Sequence, residues 1–335
     1  MEEQKLFIII VPEQHSTMSY KILIGYPINQ DRLQGLPSPY EVHALSSPED
    51  RYEQVLSRIE AYDGLFAITH PVDKQLMDKA KRLKVVGNYG VGYDNIDVEY
   101  AKQKGIAVTN TPQSTTAPTA NFAMGLILSL LRKIVTTDRW LRQGDVIPFW
   151  GHKSTMGEAI GGKTLGILGM GRIGKAVAKR AHAFDMNIIY HNRNRLPKEQ
   201  ESAHHATYVS FEALLQQSDI LSIHTPLTAS TNSLINASAL AKMKKGAFIV
   251  NTGRGGIIQT DALLYALETN HLAGAALDVF ENEPHIPTKL LTMDKVIVAP
   301  HNGTATQAAR DAMFAEAYGN IIAFLSGKAM TSRIV

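Results

Sequence analysis

The sequence predicts an α/β protein made of two doubly wound parallel-sheet units, on three observations. Strand-length apolar runs alternate with helix-patterned stretches along nearly the whole chain. A glycine-rich turn, Gly169-Met170-Gly171-Arg172-Ile173-Gly174, sits near the middle of that alternation. At 335 residues the chain exceeds the roughly 250–300 residues at which a single core stops growing, so two domains are expected.

In chain order, apolar runs of strand length fall at 21–26, 41–45, 65–69, 85–88 and 107–109, with helical spacing over 49–61 and 74–82. These define a small parallel unit with no phosphate loop of its own. A long helix beginning near Pro118 leaves it, and proline is tolerated there only in the first turn. The stretch 117–135 is apolar but carries Asn121, Arg132 and Lys133, which suits a buried helix better than a membrane span. After a loop over 143–162, strands are expected at 164–168, 187–191, 220–225, 247–252, 275–279 and 296–299. Helices are expected between them at 172–183, 211–216, 237–243 and 261–269. An amphipathic stretch over 306–325 is long enough to return to the first unit.

The net charge of +3 comes without Lys/Arg blocks interleaved with aromatics, so neither nucleic acid nor an anionic membrane is an expected partner. The absence of cysteine excludes disulfides, thiolate metal sites and a cysteine nucleophile, and suits a cytoplasmic protein; no metal site is expected. The apolar run at 6–11 is shorter than a signal-peptide core and follows acidic residues. Residues 1–19 read as an extension, with Met18 as an alternative start.

The glycine-rich turn follows an apolar strand and opens a helix, which is the setting of a Rossmann dinucleotide-binding domain. Its first glycine permits a tight turn, its second lets backbone N–H groups approach a pyrophosphate, and its third lets helix and strand pack closely. A phosphate then sits on the helix N-terminus, where unpaired N–H groups favour an anion. The next strand ends His191-Asn192-Arg193-Asn194-Arg195, without the carboxylate that would bind a ribose 2′-hydroxyl. Arg193 and Arg195 offer forked cationic donors suited to a 2′-phosphate, so NADP(H) is the expected cofactor with NAD(H) possible.

Three polar residues follow later strands of this unit: Arg254, Glu283 and His301. A ketone accepting hydride needs a proton on its oxygen, which a histidine supported by a carboxylate can supply, and an arginine can hold a carboxylate or carbonyl oxygen. Spacing alone leaves open a loop cation, a cap and a satisfied core histidine.

At this point the chain resembles the D-isomer-specific 2-hydroxyacid dehydrogenases, in particular the glyoxylate/hydroxypyruvate (2-ketogluconate) reductase branch. The resemblance rests on Gly90-Val91-Gly92-Tyr93-Asp94-Asn95-Ile96-Asp97, Val108-Thr109-Asn110-Thr111-Pro112, the Gly-rich turn, Asn251-Thr252-Gly253-Arg254-Gly255, the run from Leu277 to Pro284, and Pro300-His301-Asn302-Gly303. It implies a Rossmann domain over 116–303 and a smaller flavodoxin-like substrate domain from 20–115 plus 304–335. It further implies that His301 is the acid/base, that Glu283 supports its protonated form, and that Arg254 orients a small 2-oxo or 2-hydroxy acid. The backbone N–H groups of Val91 and Gly92 would hold the substrate carboxylate from the first domain, and closure of the domains would exclude water. Cofactor contacts are implied for Thr119, Gly169, Gly171, Arg172, Ile173, Gly174, Asn192, Arg193, Arg195, Thr225, Pro226, Thr252, Asp278 and Gly303, and a homodimer is implied as well. The alternatives are a D-lactate-type or phosphoglycerate-type dehydrogenase, or a nucleotide-sensing binding protein of the same fold. Asn302, where many members carry an aliphatic residue, and Pro118 depart from the family pattern. Phe149 and Trp150 offer either a partner-facing aromatic at the pocket or a core anchor for their loop.

Overall fold

The apolar runs become parallel strands because both of their faces are covered, which is why they read as continuous apolar stretches. In the computed structural model, which describes residues 19–28, 40–144, 150 and 153–335, the first sheet region comprises β1 (Lys21–Ile24), β2 (Glu41–Ala44), α1 (Arg51–Arg58), β3 (Gly64–Ala67), α2 (Lys74–Lys79), β4 (Val85–Asn88), α3 (Val98–Gln103) and β5 (Ala107–Thr109). The strands are parallel in the order β2-β1-β3-β4-β5, a flavodoxin-like order. Leu23, Leu65 and Val86 pack on one face against Val55, Ile59 and Leu76 of the covering helices. Short helices are fixed by caps: Asp73 accepts from Leu76 N–H and Asp97 from Tyr100 N–H.

The chain continues through α4 (Pro112–Leu131), α5 (Ile134–Gln143), β6 (Thr164–Leu168), α6 (Arg172–His182), β7 (Asn187–His191), α7 (Lys198–Ala203), β8 (Ala206–Tyr208), α8 (Phe211–Gln217) and β9 (Ile220–Ile223). It ends with α9 (Ala237–Lys242), β10 (Ala247–Asn251), α10 (Thr260–Glu268), β11 (Leu272–Leu277), α11 (Thr288–Thr292), β12 (Val296–Val298) and α12 (Gln307–Leu325). These strands form a second parallel sheet in the order β12-β11-β10-β9-β6-β7-β8. The order reverses between β6 and β9, so a crevice opens there at the carboxyl ends of the strands. Separate apolar clusters cover the two faces: Ala123, Ile127, Val177 and Ala181 on one, and Leu214, Leu240, Leu263 and Leu267 on the other.

Two compact units result. One holds the described residues up to Asn88 with Asn95–Thr109 and Tyr318–Val335, and the other holds Tyr89–Asp94 and Asn110–Ala317. The loop after β4 therefore belongs with the larger unit, and α12 contributes residues to both.

The long helix starts six residues before the position expected from Pro118, which lies in its interior. Proline there removes one helical hydrogen bond, in a helix whose start is secured from outside. The Glu316 carboxylate on α12 accepts the N–H groups of Gln113 and Ser114 at 3.2 and 2.8 Å, together with the Ser114 hydroxyl. The expected strand 220–225 ends at Ile223, and the backbone of His224 and Thr225 that follows packs against Gly169. The elements α3, α5, α7, β8 and α11 are not among those expected from the sequence. Among the described residues no single helix is long and apolar enough to cross a membrane, and α4 with α5 would pass only as a pair bent by 61°.

His70, just beyond β3, is 5% exposed, and neither ring nitrogen has a hydrogen-bond partner. Burial, with a smaller contribution from Arg51, lowers its pKa from 6.5 to about 4. The folded state thus keeps His70 neutral down to about pH 4, while the unfolded chain takes up a proton below 6.5. The contribution of His70 to stability is therefore full above pH 6.5 and falls as pH drops through that window, at up to ~1.4 kcal/mol per pH unit. In urea unfolding across the window, His70→Gln is expected to flatten the dependence by that amount. A slope identical to that of the parent would show that His70 does not stay neutral in the fold.

Candidate active site

The three glycines of the turn between β6 and α6 meet three different surroundings. Gly169 has φ of +98°, and a Cβ there would lie 2.6 Å from Thr225 N and 2.7 Å from the His224 carbonyl carbon. A Cβ on Gly174 would lie 2.3 Å from the Gly169 carbonyl oxygen. The first and third positions are thus required by the protein's own packing. Gly171 faces space with no atom within 4 Å, and as N-cap of α6 it leaves the first N–H groups of that helix, opened by Arg172 and Ile173, without a side-chain cap. An open position before uncapped amides fits a dinucleotide pyrophosphate. The Asn192 side chain accepts from Met170 N–H at 2.6 Å and ties the end of β7 to the turn.

The two arginines after β7 have different surroundings. Arg193 is exposed and makes no hydrogen bond or ion pair among the described residues. Arg195 instead closes both Nε and Nη2 on the Glu201 carboxylate at 2.8 Å, and Glu201 also accepts from the Tyr190 hydroxyl. The hydrogen bonds from Arg195 and Tyr190 hold the Glu201 carboxyl at about 2. The fork that the sequence assigns to a 2′-phosphate is therefore paired at Arg195 with a carboxylate of the following helix α7.

At the carboxyl ends of β9 to β12, Thr225 and Pro226 follow β9, and Thr252 follows β10 with its hydroxyl 3.4 Å from His224 Nδ1. Asp278 follows β11 and is 1% exposed. Burial raises its pKa, against two backbone bonds that favour the carboxylate: Asn302 N–H at 2.6 Å and Gly303 N–H at 2.8 Å. These bonds pin the turn in which His301 adopts φ of +56°, a left-handed conformation that a histidine keeps only when its surroundings impose it. A Cβ on Gly303 would touch Asp278 and Thr119, so these three residues lie together.

His301 Nδ1 lies 3.0 Å from Glu283 Oε2, while Glu283 Oε1 accepts from Phe280 N–H at 3.0 Å. Burial alone would raise the Glu283 pKa, but His301, the Phe280 amide and the charge of Arg254 together bring it below the ordinary value. With Nδ1 on the carboxylate, Nε2 is the nitrogen left for a reacting group. Arg254 donates from Nε to Asp94 Oδ1 at 2.7 Å and from Nη1 to the Gly253 carbonyl at 2.9 Å. Its guanidinium lies against Gly92, where a Cβ would fall 1.7 Å from Nη2.

The structure thus brings Val91, Gly92, Arg254, Glu283 and His301 into one unit; the sequence had placed the first two in the other domain. Sequence reasoning missed three residues that shape this cluster. Asp94 pairs with Arg254, Asn110 holds the Val91 carbonyl at 2.7 Å, and the Asn251 amide holds the Arg254 carbonyl at 2.9 Å. All three sit inside the stretches that carry the family resemblance, but as single polar residues they gave no signal of their own. Asn302 contributes its backbone N–H while its side chain is exposed. Trp150 is 96% exposed and so anchors no core of this chain. Phe149 lies outside the described residues.

Residues 124–303 match the model of the NAD-binding domain of D-isomer specific 2-hydroxyacid dehydrogenases. The chain is 41% identical over 316 residues to a glyoxylate reductase of Thermococcus litoralis, covering 93% of this chain and 95% of that one. It is 48% identical over 282 residues to a glyoxylate reductase of Aeropyrum pernix, covering 83% and 84%. Among solved structures, a glyoxylate reductase from Paecilomyes thermophila superimposes with a TM-score of 0.85 at 37% identity over 94% of this chain and 98% of that one. An NADPH-dependent glyoxylate/hydroxypyruvate reductase from Sinorhizobium meliloti, in complex with NADP and malonate, gives 0.82 at 32% identity over 95% and 97%. The chain belongs to the D-isomer-specific 2-hydroxyacid dehydrogenases, in their glyoxylate reductase branch. It is an NAD(P)-dependent oxidoreductase of small 2-oxo acids.

Proposed function

We propose that the protein reduces glyoxylate and hydroxypyruvate to the corresponding 2-hydroxy acids, D where chiral, with NADPH preferred over NADH and His301 as the acid. The observation that carries the reading is the His301–Glu283 pair at 3.0 Å, with Arg254 in the same cluster. The nicotinamide, when bound, supplies the hydride that reaches the carbonyl carbon. The backbone N–H groups of Val91 and Gly92 bind the substrate carboxylate, and Arg254 directs positive charge at the carbonyl oxygen as it becomes an alkoxide. His301 passes the Nε2 proton to that oxygen, Glu283 having stabilised the imidazolium until then, and the neutral imidazole recovers a proton from solvent. Asp278 holds the turn that aims the imidazole.

Preference for NADPH rests on Arg193, an exposed guanidinium beyond β7 in a loop without the usual carboxylate. A homodimer is supported by exposed apolar side chains at Ile134, Leu141, Trp150 and Met156, which a second copy would cover. Initial rates of NADPH and NADH oxidation with glyoxylate, hydroxypyruvate, pyruvate and 2-ketogluconate test the reading. Turnover favouring NADPH with either of the first two is expected. Turnover favouring NADH would remove the cofactor assignment, and nucleotide binding without turnover would point to a sensor.

A further inference from the structure

We propose that Asp94 is a positioning residue for Arg254, fixing the guanidinium so that Nη2 is presented to the substrate; the inference rests on the reading of Arg254 as substrate-binding. A guanidinium carries five donors in one plane, on Nε, Nη1 and Nη2, and a long flexible side chain leaves that plane undetermined unless something holds it. Two anchors define it here. Nε donates to Asp94 Oδ1 at 2.7 Å, and Nη1 donates to the Gly253 carbonyl at 2.9 Å. The Asp94 carboxylate takes the Nε edge through one oxygen and does not close a fork over Nη2. Gly92 completes the seat, because a Cβ there would fall 1.7 Å from Nη2, so only glycine lets the group lie down on this backbone.

Asp94 and Gly92 belong to one loop, and that loop is itself anchored. The Asn110 side chain donates to the Val91 carbonyl at 2.7 Å, and Thr111 N–H donates to the Gly90 carbonyl at 3.1 Å. The ion pair therefore couples the backbone that binds the substrate carboxylate to the cation that binds its carbonyl oxygen. Both walls of the pocket keep one register, although Asp94 and Arg254 are 160 residues apart in the chain.

The test is a double-mutant cycle on the full-length protein. Asp94→Ala is expected to lower kcat/KM for glyoxylate by about 30-fold, through both a higher KM and a lower kcat, with NADPH affinity and melting temperature unchanged. Asp94→Asn, which keeps an oxygen for the Nε–H, is expected to recover most of the loss. In an Arg254→Ala background, Asp94→Ala should add less than about twofold, because it acts only through the arginine. Equal losses in both backgrounds, or a loss under about twofold in the parent, would overturn the proposal. If the parent itself turns over no 2-oxo acid, the functional reading fails separately. Crystal structures of parent and Asp94→Ala then decide the positioning role: a displaced guanidinium supports it and an unmoved one overturns it.

Discussion

His301→Ala is expected to lower kcat by about 10²–10⁴-fold while leaving NADPH affinity nearly unchanged, the range a positioned general acid contributes. The separation of effects follows from the geometry. In the proposed mechanism the imidazole acts from a turn beyond β11 and β12, whereas the proposed dinucleotide cradle is Gly171 and the first turn of α6, which the substitution does not touch. Left-handed φ at position 301 is no easier for alanine than for histidine, so the turn remains dependent on the Asp278 bonds to Asn302 and Gly303. Glu283→Gln should give a smaller loss, since it keeps a hydrogen bond to Nδ1 and removes only the charge that supports the imidazolium. The double variant should resemble His301→Ala alone, because the carboxylate has no other route to the reaction. Stopped turnover with intact nucleotide binding and an unchanged circular dichroism spectrum is the expected measurement. Unchanged turnover in purified His301→Ala would remove the histidine from the mechanism.

Much of this site was legible in the sequence where the physics is local. The Gly169–Gly174 spacing encodes the local approach of Gly174 to the Gly169 carbonyl, and strands buried on both faces announce themselves as unbroken apolar runs. Arg254, Glu283 and His301 stood out because each follows a strand at the ligand-binding edge of the sheet, but that placement left a loop cation, a cap and a core histidine open, and their roles came from the family resemblance. What was not legible depends on pairs distant in sequence. Asp94 meets Arg254 across 160 residues, and no periodicity reports such a pair. The start of α4 was misplaced for the same reason: the cap that lets it begin at Pro112 is Glu316, from the far end of the chain. Arg195 shows the converse case. Its type and position suggest an anion site, and the structure pairs its Nε and Nη2 with Glu201, six residues on, a partner the sequence did not report.

That difference between the two arginines leads to the sharpest test of cofactor choice. Arg193→Ala is expected to lower kcat/KM for NADPH by about 10–100-fold, as loss of a charge-assisted contact to a phosphate dianion would, and to change kcat/KM for NADH by less than about threefold. Because Arg193 is exposed, the NADPH advantage of the parent should also shrink as salt is added, while the NADH rate stays nearly level. Arg195→Ala should behave differently. It strips the strongest partner from Glu201, a residue 8% exposed, so the variant should melt at a lower temperature and weaken both nucleotides alike by loosening the loop after β7. Initial rates with each nucleotide, at low and high salt, together with melting curves, separate the outcomes. Equal losses for both nucleotides in Arg193→Ala would remove the 2′-phosphate from that residue. A selective loss of NADPH in Arg195→Ala would mean that the guanidinium leaves Glu201 when the phosphate arrives.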